Sequence, residues 1–340
     1  MKSRRRRTNM DIDAFTETID SGTVDKIKNI RQNRRIHILL LREVTAPARF
    51  TTDGERGNTM TVRMGRPGED TVEIRAVDLF YRKQPGAERR TAKSIQRDVL
   101  GDDSEACRED RMHPNEMRQN SPESVLFGSA AGNVGVSQRS RVYYNSAYSL
   151  RDASVTLQQN TQTAAGDETR QESSEGQGTW TPDFVRPGTM FPSVVTIDSA
   201  VPEEVLFVLA VLDRTNHYGA GETRGGNVTN HVLGVYAGHD EGPANLEVAR
   251  ETVAELTGNE FEYASDVVEA STLPITEVQA ATIDAYEHIC EARGLDFATV
   301  SESEITDVLT ALRDEKTLSN VMSSQLDAVE DYVDRAPGGE

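Results

Sequence analysis

The block Thr215-Asn-His-Tyr-Gly-Ala-Gly-Glu-Thr-Arg-Gly-Gly-Asn227 places Gly219, Gly221, Gly225 and Gly226 beside Arg214, His217 and Arg224. Glycine lets a backbone bend and approach a ligand closely. Arginine offers a planar fork of N–H donors that matches phosphate. The chemistry that fits is anion binding, and above all the holding of a phosphate chain. An apolar helical run, Glu203 to Asp213, precedes the block, and a strand-like run, Asn230 to Ala237, follows it. The dinucleotide fingerprint needs a strand before its glycines and a helix after them. The order here is reversed, and no Walker A sequence occurs in the chain.

Further binding-type residues surround this block. Arg42, Arg49, Arg56, Arg63, Arg141 and Arg186 flank expected strands or lie in their loops, and Gly188 closes an Arg186-Pro-Gly188 turn. Tyr143, Tyr144, Tyr148 and Tyr218 have faces on which bases stack. Alternation along residues 141–150 turns Tyr144 and Tyr148 inward with Val142 and Leu150, leaving Tyr143 and Asn145 outward. Catalytic chemistry is poorly represented. The six histidines, 37, 113, 217, 231, 239 and 288, are scattered, and no Ser/His/Asp or Cys/His arrangement is evident. His217 has no evident partner, which is a weak basis for general acid–base work. Cys107 and His113 lack a third and fourth zinc ligand nearby, so no metal or cofactor is expected.

The 340 residues carry a net charge of −19 and a sequence pI of about 4.8. Only 6 of the 37 basic residues are lysine. High acidity with scarce lysine fits a cytosol rich in salt, so the charge says little against nucleic acid as a partner. The charge is also concentrated: residues 243–340 hold 22 acidic and 5 basic residues. The rest is nearly neutral, with basic clusters at Arg4–Arg7 and at Lys26, Lys28, Arg31, Arg34 and Arg35 that suit phosphates or solvent. Two cysteines make no disulfide framework. No apolar run approaches the roughly 20 residues of a membrane span. Arg4–Arg7 is not followed by the apolar segment of a signal peptide, and a cytoplasmic location is expected.

Six elements must position these residues. Ile36 to Leu41 reads as a buried strand, and Glu88 to Leu100 as a helix with Ala92, Ile95 and Val99 on one face. Residues 141–150 and Met190 to Ile197 read as strands. Pro202 opens the helix carrying Val205, Leu206, Leu209 and Leu212, with Glu203 and Glu204 near its positive end. His231 to Tyr236 is the last strand. Strand, helix, strand, strand, helix, strand is the α+β order of a ferredoxin-like or RRM-like core, with one sheet face left open. Insertions are expected at about 42–80, 101–124 and 158–182. The last, rich in Gln, Thr, Gly and Glu, fits a loop or a protruding arm. Residues 1–35 form a basic N-terminal segment and 36–242 the core. Residues 243–340 form an acidic helical domain, in which Ser301 and Glu304 make a capping box.

Four segments occur in a telling order: Ser124-Val-Leu-Phe-Gly-Ser-Ala-Ala-Gly132, Ser140-Arg-Val-Tyr-Tyr-Asn-Ser-Ala-Tyr-Ser-Leu150, Phe184-Val-Arg-Pro-Gly-Thr-Met-Phe-Pro192 and the block from Arg214 to Asn227. Together they resemble the type I-D CRISPR-associated backbone proteins, the Cas-seven branch of the RAMP superfamily, over roughly residues 36–242. The resemblance implies a non-catalytic subunit of an antiviral Cascade complex, in which copies stack head to tail along one CRISPR RNA. It implies other CRISPR effector subunits as partners, and target nucleic acid reached through the guide. It puts the Gly219–Asn227 loop and the Arg186–Gly188 turn on the RNA path and makes Gln158–Pro182 the arm. The RNA-binding set so expected is Arg42, Arg49, Arg141, Asn145, Arg186, Gly188, Arg214, His217, Tyr218, Gly219, Arg224, Gly225, Gly226 and Asn227.

Two points stay open at this stage. Related backbone proteins of type III complexes cut RNA with a loop acid, and Asp152, Asp167 and Asp183 are the acids to examine for such an alternative. Family members also often carry Cys-Pro-x-Cys where this chain has Ser121-Pro-Glu-Ser124. Serine is a poor zinc ligand, so packing or hydrogen bonds are expected to replace the metal.

Overall fold

The computed structural model describes residues 12–52, 54, 56–108, 110–113, 116–130, 137–160, 162–163, 179–219, 226–260 and 273–336. Arg4–Arg7, Arg224, Gly225, Asp167 and most of the expected arm lie outside them.

The fold is α+β, built on antiparallel sheets. Its central sheet contains β1 (Arg35–Val44), β4 (Val142–Tyr144), β10 (Met190–Asp198), β11 (Val228–Gly238) and β12 (Ala298–Val300). Their order across the sheet is β12-β11-β1-β10-β4. Register places Leu39 opposite Val194 of β10 and Gly234 of β11. The helix α2 (Lys83–Leu100) follows β1 in the chain, and α5 (Pro202–Arg214) follows β10. Pro202 supplies the first-turn geometry of α5, and the Val201 N–H donates to the Glu204 carboxylate at 3.1 Å. An N–H that would otherwise go unpaired at the helix start is thereby satisfied.

Alternation along β1 sends its side chains to two different cores. Ile36, Ile38 and Leu40 join a cluster with Ala92 and Ile95 of α2, Val205 and Leu209 of α5, and residues of α8 (Glu302–Leu312) and α9 (Glu315–Arg335). Leu39 and Leu41 join a second cluster on the opposite face. There they meet Val62 and Met64 of β2 (Thr59–Met64), Ile74 of β3 (Val72–Leu79), Val248 and Val253 of α6 (Asn245–Thr257), and Val278 and Tyr286 of α7 (Ile275–Arg293). The sheet face expected to lie open is therefore covered. The physical reason is in the sequence of β1: apart from His37, its residues 36–41 are apolar on both faces, as suits a strand buried on both sides.

The C-terminal helices divide between these two cores. The pair α6 and α7 takes one face, and α8 and α9 take the other, while β12 extends the sheet by pairing Thr299 with Tyr236. The expected capping box is present, with the Glu304 N–H donating to Ser301 Oγ at 3.3 Å and the Ser301 N–H to Glu304 Oε2 at 3.0 Å.

Residues 141–150 are not one strand. The β4 strand stays in the central sheet, and after Asn145 and Ser146 the strand β5 (Ala147–Asp152) pairs with β3 in a smaller sheet ordered β2-β3-β5. A short helix α4 (Ala153–Thr156) leads to β6 (Leu157–Gln159), which pairs with β9 (Asp183–Val185) at the foot of the expected arm. Two-residue strands β7 (Gln162–Thr163) and β8 (Thr179–Trp180) continue that pairing outward. The remaining helices are α1, over residues 12–18, and α3 (Pro122–Phe127). Among the described residues no helix is long and apolar enough to cross a membrane.

Candidate nucleic-acid interface

The glycine-rich loop has a closed neck. The Asn227 side chain accepts from the Tyr218 N–H at 2.9 Å and donates to the Tyr218 carbonyl at 2.7 Å. The Asn227 and Val228 N–H groups both donate to the Asn216 carbonyl, at 2.7 and 3.1 Å. Gly219 leaves the neck at φ +97°, and a Cβ there would sit 2.4 Å from the Arg49 carbonyl oxygen. A left-handed backbone pressed against another backbone admits glycine alone. Asn216 and His217 are exposed on the near side of the neck, and Gly226 on the far side.

The neck is tied to the Arg186–Gly188 turn through the end of β1. The Thr45 N–H donates to the Asn227 carbonyl at 3.0 Å, the Gly188 N–H to the Val44 carbonyl at 2.7 Å, and the Val44 N–H to the Thr189 carbonyl at 2.9 Å. The arm's foot joins the same region, because Ala48 and Val185 exchange a pair of backbone hydrogen bonds at 3.1 and 2.7 Å. The loop neck, the turn and the arm foot thus gather at one end of the central sheet. Arg186, Pro187, Thr45 and Pro47 are exposed there, and the Arg186 side chain makes no ion pair among the described residues. Gly188 turns the chain at φ +83°. Glycine turns, an unpaired guanidinium and solvent access are features that a phosphate-binding rim would use.

Several expected contact residues serve the fold instead. Arg42 is completely buried; it donates to Glu88 at 3.0 Å, to Tyr218 at 2.8 Å and to Asn230 at 2.8 Å. Burial opposes its charge, but Tyr218 and Glu88 more than offset that and raise its pKa. The Tyr218 hydroxyl donates to Glu88 at 2.9 Å, and Tyr144 donates to the other Glu88 oxygen at 2.5 Å. Burial pushes both phenols well above their ordinary pKa. Arg141 is buried against Glu204 in a two-pronged ion pair. Asn227 is buried in the neck. These four side chains, Arg42, Arg141, Tyr218 and Asn227, have no surface to offer RNA, because strands and helices close over them.

The others divide. Arg49 is almost buried and donates to the Gly54 carbonyl at 3.1 Å. Arg214 is half-buried and donates to the carbonyls of Ala210 and Leu312, closing the end of α5. Asn145 is exposed between β4 and β5, and its carbonyl accepts from Gln84 and Asn245. Arg224 and Gly225 lie outside the described residues.

Two of the three acids named for cleavage, Asp152 and Asp183, are committed to structure, and Asp167 lies outside the described residues. Asp152 caps α4 through the Ser154 N–H and accepts from the Arg75 N–H at 2.7 Å. Burial works against its charge, yet those hydrogen bonds hold its carboxyl below the usual carboxylate range. Asp183 accepts from the Gly57 N–H at 2.9 Å and from Gln159 at 3.0 Å, which fixes the arm foot.

Among the described residues of 101–124 no set of side chains is placed to hold a zinc ion. Ser121 Oγ accepts the Ser124 N–H at the start of α3, and Cys107 packs on Gln96. The interior has its own cation: Lys93 Nζ lies 2.5 Å from Asp110 and 2.8 Å from Glu123, with all three side chains buried. Elsewhere Glu251, Glu255 and His288 lie within metal-ligand reach of one another, but the Arg66 guanidinium donates to both carboxylates.

Glu88, the hub joining β1, α2, β4 and the loop neck, was not singled out in the sequence. A signal was present: Glu88 falls on the same helical face as Ala92, Ile95 and Val99, and an acid on an apolar stripe needs a buried partner. Asn216 and Thr45 carried no such signal, since their contributions are made by backbone atoms.

Among curated proteins no match is found. The structure is similar to the crystal structure of Thermofilum pendens Csc2, with a TM-score of 0.58, 17% identity and coverage of 93% of this chain and 94% of that one. It is more distantly similar to a chain of a CRISPR RNA-guided surveillance complex, with a TM-score of 0.47, 11% identity and coverage of 86% and 99%. The family model described as Csc2 Crispr matches residues 23–325. With the sheet order and loop geometry described above, that match covers nearly the whole fold, and the chain belongs to the Csc2 family, the type I-D branch of the Cas-seven CRISPR backbone proteins.

Proposed function

We propose that this backbone subunit holds a CRISPR guide RNA against the loop end of its central sheet, leaving the bases to pair with target nucleic acid. The observation that carries this reading is the junction of the glycine-loop neck, the Arg186–Gly188 turn and the arm foot through Val44 and Thr45. The rim offers the exposed Arg186 guanidinium beside glycine turns that allow close backbone approach, a composition that suits phosphates and ignores base identity. Specificity is then delegated to pairing. Arg186, Gly188, His217, Gly219 and Gly226 are the described residues of the contact set, with Arg224 and Gly225 completing the loop. The strand order β11-β1-β10-β4, with helices after β1 and β10, supports a ferredoxin-like core beneath this rim. In this reading the Gln158–Pro182 arm reaches a neighbouring copy, and the complex with its other effector subunits works in a salt-rich cytoplasm.

The test is binding of the purified protein to single-stranded RNA across a KCl series reaching the molar range, with the RNA checked for cleavage. Arg186→Ala and Arg224→Ala should each weaken binding on every guide sequence and lower the salt slope by about 1. Stepwise complexes on longer RNA are expected. Absence of binding, or an affinity that follows base sequence, would overturn the proposal.

A further inference from the structure

A groove of about 1010 Å³ runs between α2, α9 and the neck of the glycine-rich loop. Its floor is apolar, made by Ile95 and Val99 of α2 and Leu318 of α9. Its rim on α2 is a polar stripe, Arg90, Ser94 and Asp98, spaced four residues apart and therefore on one helical face. The neck supplies Asn216, His217 and Gly219. Arg90 stands at the N-terminal end of the stripe and lines the same groove as these neck residues.

The charges in the groove are unequally engaged. Arg313 is spent on Asp213 in a paired contact at 2.7 and 3.0 Å, and Arg214 on two helix-end carbonyls. Among the described residues, neither the Arg90 nor the His217 side chain has a hydrogen-bonding or ionic partner. Asp98 stands about two helical turns further along α2, and Glu315 opens α9. The unengaged donors Arg90 and His217 share the groove lining with Gly219 of the neck.

We infer that this groove is a second contact for single-stranded RNA, taking a nucleotide from the strand held at the rim: its phosphate on Arg90 and His217, its base on the Ile95–Val99–Leu318 floor. The inference rests on the guide-RNA reading. An apolar floor beside a free guanidinium suits a nucleotide, which pairs a flat base with an anion. The base packs on aliphatic side chains without being read by a fixed set of donors and acceptors, so the contact tolerates any sequence.

Two variants test it. Arg90→Ala removes an exposed cation, and Ser94→Trp fills the groove from an exposed position; both sites face solvent and should fold. Arg90→Ala should weaken RNA binding about tenfold on every guide sequence and lower the salt slope by about 1. Ser94→Trp should weaken binding at unchanged salt slope. In wild type, photocrosslinking of thiouridine-substituted RNA should label the peptide holding residues 90–99. If both variants bind as wild type while Arg186→Ala does not, the groove inference falls and the guide-RNA reading stands. If wild type itself fails to bind RNA, both fall. If the variants bind a single copy normally but lose the stepwise complexes, the groove holds a neighbouring copy, and the RNA contact is overturned.

Discussion

The Lys93 side chain is buried between the two buried acids Asp110 and Glu123. Glu123 also accepts from Arg89, and the Arg118 N–H donates to Asp110 at 2.8 Å. Removing one partner from a buried ionic group strands the others and typically costs about 3–5 kcal/mol. Lys93→Met should therefore lower the thermal midpoint sharply, whereas a strong chelator should leave the wild-type midpoint where it is. A chelator-sensitive midpoint would show that a metal, and not the ammonium, holds this insertion. His37 gives a pH dependence at the same scale. Its ring bonds Thr196 at 2.9 Å and the Asp240 carbonyl at 3.0 Å, and burial lowers its pKa from 6.5. The folded state thus holds it neutral, while the unfolded chain takes up a proton near that ordinary value. Its contribution is intact above the unfolded pKa and is lost as pH falls through the folded one. The urea midpoint should drop from about pH 7.5 to about pH 5, and drop less in His37→Gln. Sequence could not separate the two kinds of arginine. Arg42 and Arg141 look like Arg186 in isolation, but their partners, Glu88 and Glu204, lie far along the chain and only the fold brings them near.

The elements that were legible are those with an unbroken period. The strand near residues 36–41, the helix ending at Leu100, the strand from Met190, the helix from Pro202 and the strand after Asn230 all appear, most of them lengthened at their ends. Residues 141–150 kept an alternating pattern across two strands of different sheets, because alternation records which side is buried and not which strand is the neighbour. Coverage of the second sheet face was likewise hidden, since it depends on α6 and α7 returning from a distant part of the chain. The loop neck shows how elements share a load. Glu88 joins α2 to β1 and to the neck, so Glu88→Ala should cost about 3–5 kcal/mol by stranding Arg42. It should also speed amide exchange at Tyr218 and Asn227 more than at the far end of β11. Equal changes at both ends would mean that Glu88 supports the sheet at large. Gly219→Ala should be more local: a left-handed backbone costs about 1–2 kcal/mol for other residues, and the Arg49 carbonyl must also move.

At the scale of the molecule, the chain does not divide where its charge does. Residues 243–340 hold most of the net negative charge, yet their inner faces complete both cores of the sheet. Ile305, Val308, Leu312, Leu318, Val321 and Met322 cover one of them. A chain ending before Ser301 would expose that face and should be recovered as aggregate, whatever the salt. Recovery of a soluble, RNA-binding fragment would show that the core stands alone. Much of the acidity lies on the exposed surface of these helices, where it serves hydration, and Glu315 alone of the groove-lining residues brings it beside the loop neck from this part of the chain.

Residues near the start and the end of the described chain lie side by side. Val24 and Ile27 share a cluster with Val329 and Tyr332, and Arg335 donates to the Ile27 carbonyl at 3.1 Å. This contact is tied to the Arg35 end of the sheet, because the Val24 N–H bonds the Ala200 carbonyl just beyond Asp198. Mechanically, tension applied between residues 24 and 335 would enter and leave the molecule through one small patch. The first event under load would be the peeling of α9, while β1, β10 and β11 stayed unstretched and the opposite end kept its grip.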